Sequence, residues 1–277
     1  MTDKPPLSPA ARPSHEWLEA EYNNRAAVPD HPLLMSHWKA SAAAARAAHP
    51  PTTIAYGAGA REVMDLFEAG PDAPIVVFIH GGYWQALDKD WFSGLAPALL
   101  AHGVSLAIPS YDLCPTVRLG AIVRQMETVA DQVRVRSGRR PVVSGHSAGG
   151  HLAACLLSQG RASAAVAISG VFDLAPLIPT SINAALRLDM RDAAALSPIH
   201  WPAPDGSTPG GTVLDCVVGG DETSEFIRQS RDMADQWGAK GVETRFEALP
   251  GLNHFTVLEP LTDPDGPLVK RIADLAR

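Results

Sequence analysis

A serine between two glycines, Gly145-His-Ser147-Ala-Gly149, is the pattern in this sequence with the clearest chemical meaning. It directly follows a short apolar run, Val142-Val143, and directly precedes a stretch compatible with a helix. A serine on a strained strand-to-helix turn exposes its hydroxyl for attack on a carbonyl carbon, and glycines are needed there because side chains would clash with neighbouring backbone. Ser147 is therefore the candidate nucleophile, although the five-residue pattern alone can also arise by chance.

Two later segments could activate this serine. His254, the last histidine in the chain, follows a predicted strand. The adjacent carboxylates Asp221 and Glu222 follow another, and spacing alone does not choose between them. The order serine, acid, histidine is typical of triads in which an imidazole takes the serine proton and a carboxylate stands behind the imidazole. We therefore expect His254 to be the general base, with one of the two carboxylates behind it.

A glycine-containing turn, His80-Gly81-Gly82-Tyr83-Trp84, lies upstream, immediately after the apolar run Ile75–Ile79. Glycines allow backbone N–H groups to point at a developing oxyanion, so Gly81, Gly82 and Tyr83, together with the N–H of Ala148, are predicted to form an oxyanion hole. The alternative is an ordinary tight turn. His151, in the helix after the serine, is predicted to be a packing residue rather than a catalyst.

The elements that must position these residues alternate between short apolar runs and amphipathic stretches. Predicted strands are Ile75–Ile79, Val104–Ile108, Val142-Val143, Ala164–Ile168, Val213–Val218 and Thr244–Leu249, and predicted helices are Trp91–Ala101, Ala121–Val135, Gly150–Gln159 and Ser224–Trp237. Strands alternating with helices predict a mostly parallel sheet with helices on both faces. Arg61–Ala69 could add an antiparallel edge hairpin with the segment near Ile54.

The remaining segments frame this sheet. Residues 1–13 are Pro-rich and predicted to be flexible, and two helices are predicted to follow, from Ser14 to Arg25 and from Pro32 to Ala48. Residues 172–199 contain three prolines and are predicted to form a short lid-like insertion over the site, whereas Trp201–Gly211 is predicted to be an exposed loop. No linker separates two cores, so residues 1–277 are interpreted as a single domain.

Composition excludes several classes of function. A net charge of −7 without any Lys/Arg-rich run argues against nucleic-acid binding. No His-Glu-x-x-His, Cys-x-x-Cys or phosphate-binding Gly-x-x-x-x-Gly-Lys pattern occurs, so no metal and no cofactor are predicted. Three unpaired cysteines, no signal peptide and no apolar run of ~18 residues predict a cytoplasmic protein without a membrane span.

Taken together, these motifs resemble the arylformamidase (kynurenine formamidase) branch of the α/β-hydrolases. The resemblance rests on His80–Trp84, on Gly-His-Ser147-Ala-Gly-Gly-His-Leu and on the run from Glu222 to Ser230, and it extends to Glu21-Tyr-Asn-Asn-Arg25 and Leu249–Glu259. It implies the α/β-hydrolase fold. Animal members carry an aspartate at the position of Glu222, so the resemblance favours Glu222 over Asp221 as the acid, with a change of residue type.

The reaction implied by the resemblance is hydrolysis of a small aryl formamide, with N-formyl-kynurenine as prototype, through an acyl-enzyme on Ser147. Tyr83, Trp84 and residues 172–199 are then candidates for the wall that holds the aromatic ring, and the alternative for Trp84 is core packing behind the turn. A carboxylesterase or an aryl amide or carbamate hydrolase would use the same triad. A catalytically inactive binding module would need a broken triad, and all parts are present. The expected partner is a small aromatic molecule, and a homodimer is compatible with the sequence.

Overall fold

The computed structural model of this chain describes residues 13–204 and 212–277. Its strands are β1 Thr52–Ala55, β2 Val63–Phe67, β3 Ile75–Ile79, β4 Ser105–Pro109, β5 Val142–His146, β6 Ala164–Ile168, β7 Val213–Gly219 and β8 Glu243–Leu249. Its α-helices are α1 His15–Tyr22, α2 Asn24–Ala27, α3 His31–Ala48, α4 Ala96–Leu100, α5 Leu119–Ser137, α6 Ala148–Ser158, α7 Asn183–Leu186, α8 Met190–Leu196, α9 Ser224–Gly238 and α10 Pro267–Ala276. Short 3₁₀ helices cover Lys89–Trp91, Ser93–Leu95, Ala175–Leu177, Pro198–His200 and Thr256–Thr262.

The strands form one continuous sheet in the order β1-β2-β4-β3-β5-β6-β7-β8. From β4 to β8 all neighbours are parallel, whereas β2 pairs antiparallel with both β1 and β4. Parallel neighbours need crossover connections, and the helices supply them. The mostly parallel sheet and the antiparallel edge hairpin are therefore confirmed.

Helices cover both faces of the sheet, as the alternation along β3 illustrates. Ile75, Val77 and Ile79 belong to a core shared with α5, α6 and α9, whereas Val76 and Phe78 belong to a second core shared with α4 and α10. Successive side chains of a strand point to opposite faces, so a strand covered on both sides is apolar throughout. Every residue of β3 is accordingly buried.

Two predicted helices are wrong in their continuity. The predicted Ser14–Arg25 helix is interrupted at Asn23, whose side-chain oxygen accepts a hydrogen bond from the Ala26 N–H and caps α2. The predicted Trp91–Ala101 helix divides into 3₁₀ turns and the short α4, and Gly94, in one of these turns, packs directly on Ser41 of α3.

Other boundaries differ by a few residues, and the C-terminal α10 was not predicted. Residues 1–12 of the predicted flexible terminus and residues 205–211 of the predicted loop lie outside the described residues. Within the part of the chain that the structure describes, no helix is both long and apolar enough to cross a bilayer.

Candidate active site

The predicted site residues lie in loops that follow the carboxyl ends of neighbouring parallel strands. Ser147 comes directly after β5, Ser169 after β6, Glu222 after β7 and His254 after β8. In an open parallel sheet these ends meet at one edge, which is where ligands bind. The topology therefore brings together residues that are more than 100 positions apart in the sequence.

Ser147 lies on a strained turn between β5 and α6. Its backbone has φ 56° and ψ −117°, a conformation that non-glycine residues rarely adopt. A side chain at Gly145 would overlap the backbone of Gly149, and one at Gly149 would overlap the carbonyl of Ile79. Only glycine fits at either position, which explains the flanking glycines and leaves Ser147 at the wall of a pocket.

The carboxylate that contacts the imidazole is Glu222. Oε2 of Glu222 accepts a hydrogen bond from Nδ1 of His254 at 2.6 Å, and the Glu222 side chain is 0% exposed. Asp221, in contrast, is exposed to solvent. Because Nδ1 donates to the carboxylate, Nε2 is the ring nitrogen free to accept a proton.

The second carboxylate oxygen of Glu222 is also held. Oε1 accepts hydrogen bonds from the Ser169 hydroxyl at 2.5 Å and from the Gly219 N–H at 2.8 Å. Ser169 itself adopts a positive φ of 50° at the end of β6. Three donors from three strand ends thus fix the carboxylate, and sequence reasoning had no signal for the part played by Ser169.

The glycine turn after β3 presents unpaired backbone donors to the pocket. Gly82, Tyr83 and Trp84 have consecutive positive φ angles of 102°, 50° and 56°. The N–H groups of Gly82 and Tyr83 have no hydrogen-bond acceptor among the described residues, and both residues line the pocket. A side chain on Gly82 would overlap the carbonyl of Ala86, so this turn requires glycine.

Two further predicted donors lie beside this turn. Gly81 is buried against Ser147, and a Cβ atom added to Gly81 would lie 3.1 Å from the Cβ of Ser147. Ala148 is fully buried as the first residue of α6, where helical geometry leaves the N–H without an intrahelical partner. Gly81 and Ala148 therefore lie next to the serine, and Gly82 and Tyr83 line the same pocket as the serine.

The pocket that contains Ser147 and His254 has a volume of about 460 Å³. That volume lies within the usual range for small-molecule sites. Its wall is formed by the α1–α2 segment, part of α3, the glycine turn, the serine and histidine loops, and Ser181 with Ile182 from the predicted lid-like segment. The lining residues are Glu19, Tyr22, Asn23, Asn24, Arg25, Met35, Trp38, Gly82, Tyr83, Gln85, Ala86, Leu87, His146, Ser147, Ser181, Ile182, His254 and Phe255.

Of the two aromatic residues predicted to contact substrate, only Tyr83 lines the pocket. Trp84 is 0% exposed and packs edge-on against His151, with ring centroids 4.9 Å apart. The prediction that Trp84 forms the pocket wall is therefore corrected. The positive φ angles of the glycine turn direct the Trp84 side chain into the core. His151 is a packing residue in this geometry, since Nε2 donates to the carbonyl of Leu196 at 2.7 Å.

The α1–α2 segment was not predicted to contribute to the site. The Tyr22 hydroxyl donates to Glu225 at 2.7 Å, and the Thr223 hydroxyl donates to the Glu21 carbonyl at 2.6 Å. The Tyr83 hydroxyl donates in turn to the carbonyl of Tyr22 at 2.7 Å. The N-terminal segment is thus tied both to the helix that follows Glu222 and to the glycine turn. Its only signal in the sequence was the family-like Glu21-Tyr-Asn-Asn-Arg25.

A second histidine, His146, holds the loop that contains His254. His146 is buried, and its Nε2 donates to the His254 carbonyl at 2.9 Å. Burial, with a smaller contribution from His254, lowers the pKa of His146 well below its usual value. His146 therefore holds the loop as a neutral ring and places no positive charge beside the His254 ring.

Comparisons with known proteins agree with this fold. A family model described as alpha/beta hydrolase fold matches residues 76–258. The kynurenine formamidase of Danio rerio is 29% identical over 78% of this chain and 78% of its own length, and that of Drosophila melanogaster is 30% identical over 74% and 75%. A Silicibacter protein provisionally described as a thioesterase has a TM-score of 0.83 and 33% identity, covering 92% of this chain and 98% of its own.

Proposed function

We propose, from the premise that this chain belongs to the α/β-hydrolase fold family and is a hydrolase, that it is a serine hydrolase that cleaves small aryl formamides of the N-formyl-kynurenine type. The observation that carries the proposal is the contact of 2.6 Å between Glu222 and His254, which lines the same pocket as Ser147. The substrate class comes from the kynurenine formamidases that this chain resembles.

The proposed reaction begins with attack of the Ser147 hydroxyl oxygen on the formyl carbon, while its proton moves to Nε2 of His254. Glu222 stabilises the resulting imidazolium through Nδ1. The free N–H groups of Gly82 and Tyr83, with that of Ala148, would stabilise the negative charge on the formyl oxygen. His254 then protonates the departing aniline nitrogen, which leaves a formyl ester on Ser147.

The second half of the reaction uses the same groups with water as nucleophile. A water molecule attacks the formyl ester while His254 takes a proton from that water. His254 then returns the proton to the Ser147 oxygen when the ester bond breaks. Formate is released and the enzyme is restored. The chemistry needs no electron transfer and no group beyond these side chains and backbone donors.

A substrate panel tests the proposal. We expect kcat/KM to rank N-formyl-kynurenine above nitrophenyl acetate, an aryl carbamate and an acyl thioester, and Ser147→Ala to abolish both turnover and labelling by a fluorophosphonate probe. The thioester is included because the Silicibacter relative is provisionally described as a thioesterase. If N-formyl-kynurenine ranks last, the formamidase assignment is wrong. Labelling that survives Ser147→Ala would show that another residue is the nucleophile.

A further inference from the structure

The pocket wall contains two charged residues of opposite sign, Glu19 on α1 and Arg25 on α2. They differ in whether their side chains have hydrogen-bond partners within the protein. Both carboxylate oxygens of Glu19 accept hydrogen bonds from Ser181, from the backbone N–H at 2.7 Å and from the hydroxyl at 2.6 Å. These bonds lower the pKa of Glu19 and hold it as an anion. Both of its oxygens are thus already hydrogen-bonded within the protein.

Arg25 has no such engagement. Its exposed guanidinium makes no hydrogen bond and no ion pair with any described residue. Arg228 on α9, in contrast, binds both Glu225 and Asp232. A guanidinium that lines a cavity without a partner can receive an anion from solution.

The backbone around Arg25 is held in place even though its side chain is free. The preceding Asn24 donates to the Tyr83 hydroxyl at 3.4 Å, and Asn23 caps the short helix that carries Arg25. Tyr22 is anchored to Glu225 and, through its carbonyl, to Tyr83. The position of Arg25 relative to the glycine turn is therefore determined by bonds on both sides of the pocket.

We propose that Arg25 binds a carboxylate carried by the substrate, so that the pocket selects acidic aryl formamides over neutral ones. A guanidinium presents N–H groups in a planar arrangement that matches a carboxylate, and these charge-assisted bonds are stronger than neutral ones. The chain carries a net charge of −7, so the carboxylate group of a substrate gains from a cation at the pocket that offsets this negative charge locally. The inference rests on the proposed function for the reaction itself.

The test compares N-formyl-kynurenine with its carboxamide, which keeps the shape and the α-ammonium group and lacks only the negative charge of the carboxylate. Because Arg25 is exposed to solvent, its effect is moderate: Arg25→Gln should lower kcat/KM for the acid about tenfold more than for the carboxamide, mainly through KM. Arg25→Lys should retain part of the preference. Arg134→Gln, at an exposed position on α5 outside the pocket, makes the same change in net charge and should retain all of it.

Equal losses for the two substrates in Arg25→Gln, or an unchanged preference for the acid, would overturn the role of Arg25. If the wild-type protein hydrolyses neither formamide but does hydrolyse nitrophenyl acetate, the proposed function fails while this inference is still tested. Benzoate should then inhibit the ester reaction more strongly than benzamide in the wild type, and about equally in Arg25→Gln. Equal inhibition already in the wild type would contradict carboxylate binding.

Discussion

Replacement of Glu222 by glutamine should abolish most of the activity while leaving the fold intact, because the surrounding donors dictate how the amide is oriented. The Gly219 N–H can only donate, and it points at Oε1. The amide oxygen must therefore occupy the Oε1 position, and the amide NH₂ must occupy the Oε2 position that faces His254. The reverse orientation would oppose two N–H donors at Gly219.

The consequence is the wrong tautomer of His254. With an NH₂ group facing it, Nδ1 must accept a hydrogen bond, and the ring proton moves to Nε2. A protonated Nε2 cannot take the proton of the Ser147 hydroxyl. The equivalent acid-to-amide change in another serine hydrolase lowers kcat by roughly 10⁴-fold, which corresponds to about 5 kcal/mol of transition-state stabilisation.

The assay is steady-state hydrolysis of a nitrophenyl ester, together with the rate of fluorophosphonate labelling and the thermal midpoint of each variant. Asp221→Asn is the matched control, because it removes one negative charge from the adjacent, exposed position. We expect Glu222→Gln to lose about 10⁴-fold in both rates, and Asp221→Asn to stay within about threefold of the wild type. The reasoning is refuted if Glu222→Gln retains more than a tenth of the wild-type rate, or if Asp221→Asn loses more of the rate than Glu222→Gln does.

Two further outcomes follow from the glycine turn and from the buried histidines. Gly82→Ala should lower kcat by roughly 10²–10³-fold, because the added methyl group overlaps the Ala86 carbonyl and displaces the N–H donors; Gly103→Ala, at φ 70° in open space, should cost about 1 kcal/mol of stability and leave kcat unchanged. Burial lowers the pKa of His80 to about 3 and that of His151 to about 4. Between pH ~6.5 and 4, therefore, the unfolded chain binds a proton at each of these histidines and the folded protein does not. As the pH falls through this range, each histidine should reduce the free energy of unfolding by about 1.4 kcal/mol per pH unit. Urea unfolding at several pH values measures how the free energy of unfolding depends on pH. His151→Gln should reduce this dependence by about 1.4 kcal/mol per pH unit, the contribution of one proton. An unchanged pH dependence would contradict a neutral His151 in the folded protein.

Local sequence was enough for the elements and for part of the candidate site. The apolar runs that became β3, β4, β6 and β7 are long enough, and bounded clearly enough, to predict a parallel sheet. The turn at Ser147 was predictable because its requirements are local: a strand, two glycines that avoid backbone overlap, and a helix. The position of His254 followed from chain order alone.

Tertiary structure decided which neighbours face the pocket. Asp221 and Glu222 are adjacent and chemically alike, and the difference between them arises from donors on other strands, the Ser169 hydroxyl and the Gly219 N–H. Trp84 follows Tyr83 directly, yet the run of positive φ angles buries one ring and leaves the other at the pocket wall.

The N-terminal wall of the pocket shows the same division. Ser14 as N-cap predicted a helix from Ser14 to Arg25, because its side chain can accept a hydrogen bond from the first turn of a helix. A capping residue does not report which distant segment the helix packs against. Glu21 and Tyr22 reach the loop after β7 only because α1 packs on α9, some 200 residues later in the chain. Composition and spacing therefore determined the secondary structure and the type of chemistry, whereas long-range packing determined the shape and charge of the pocket.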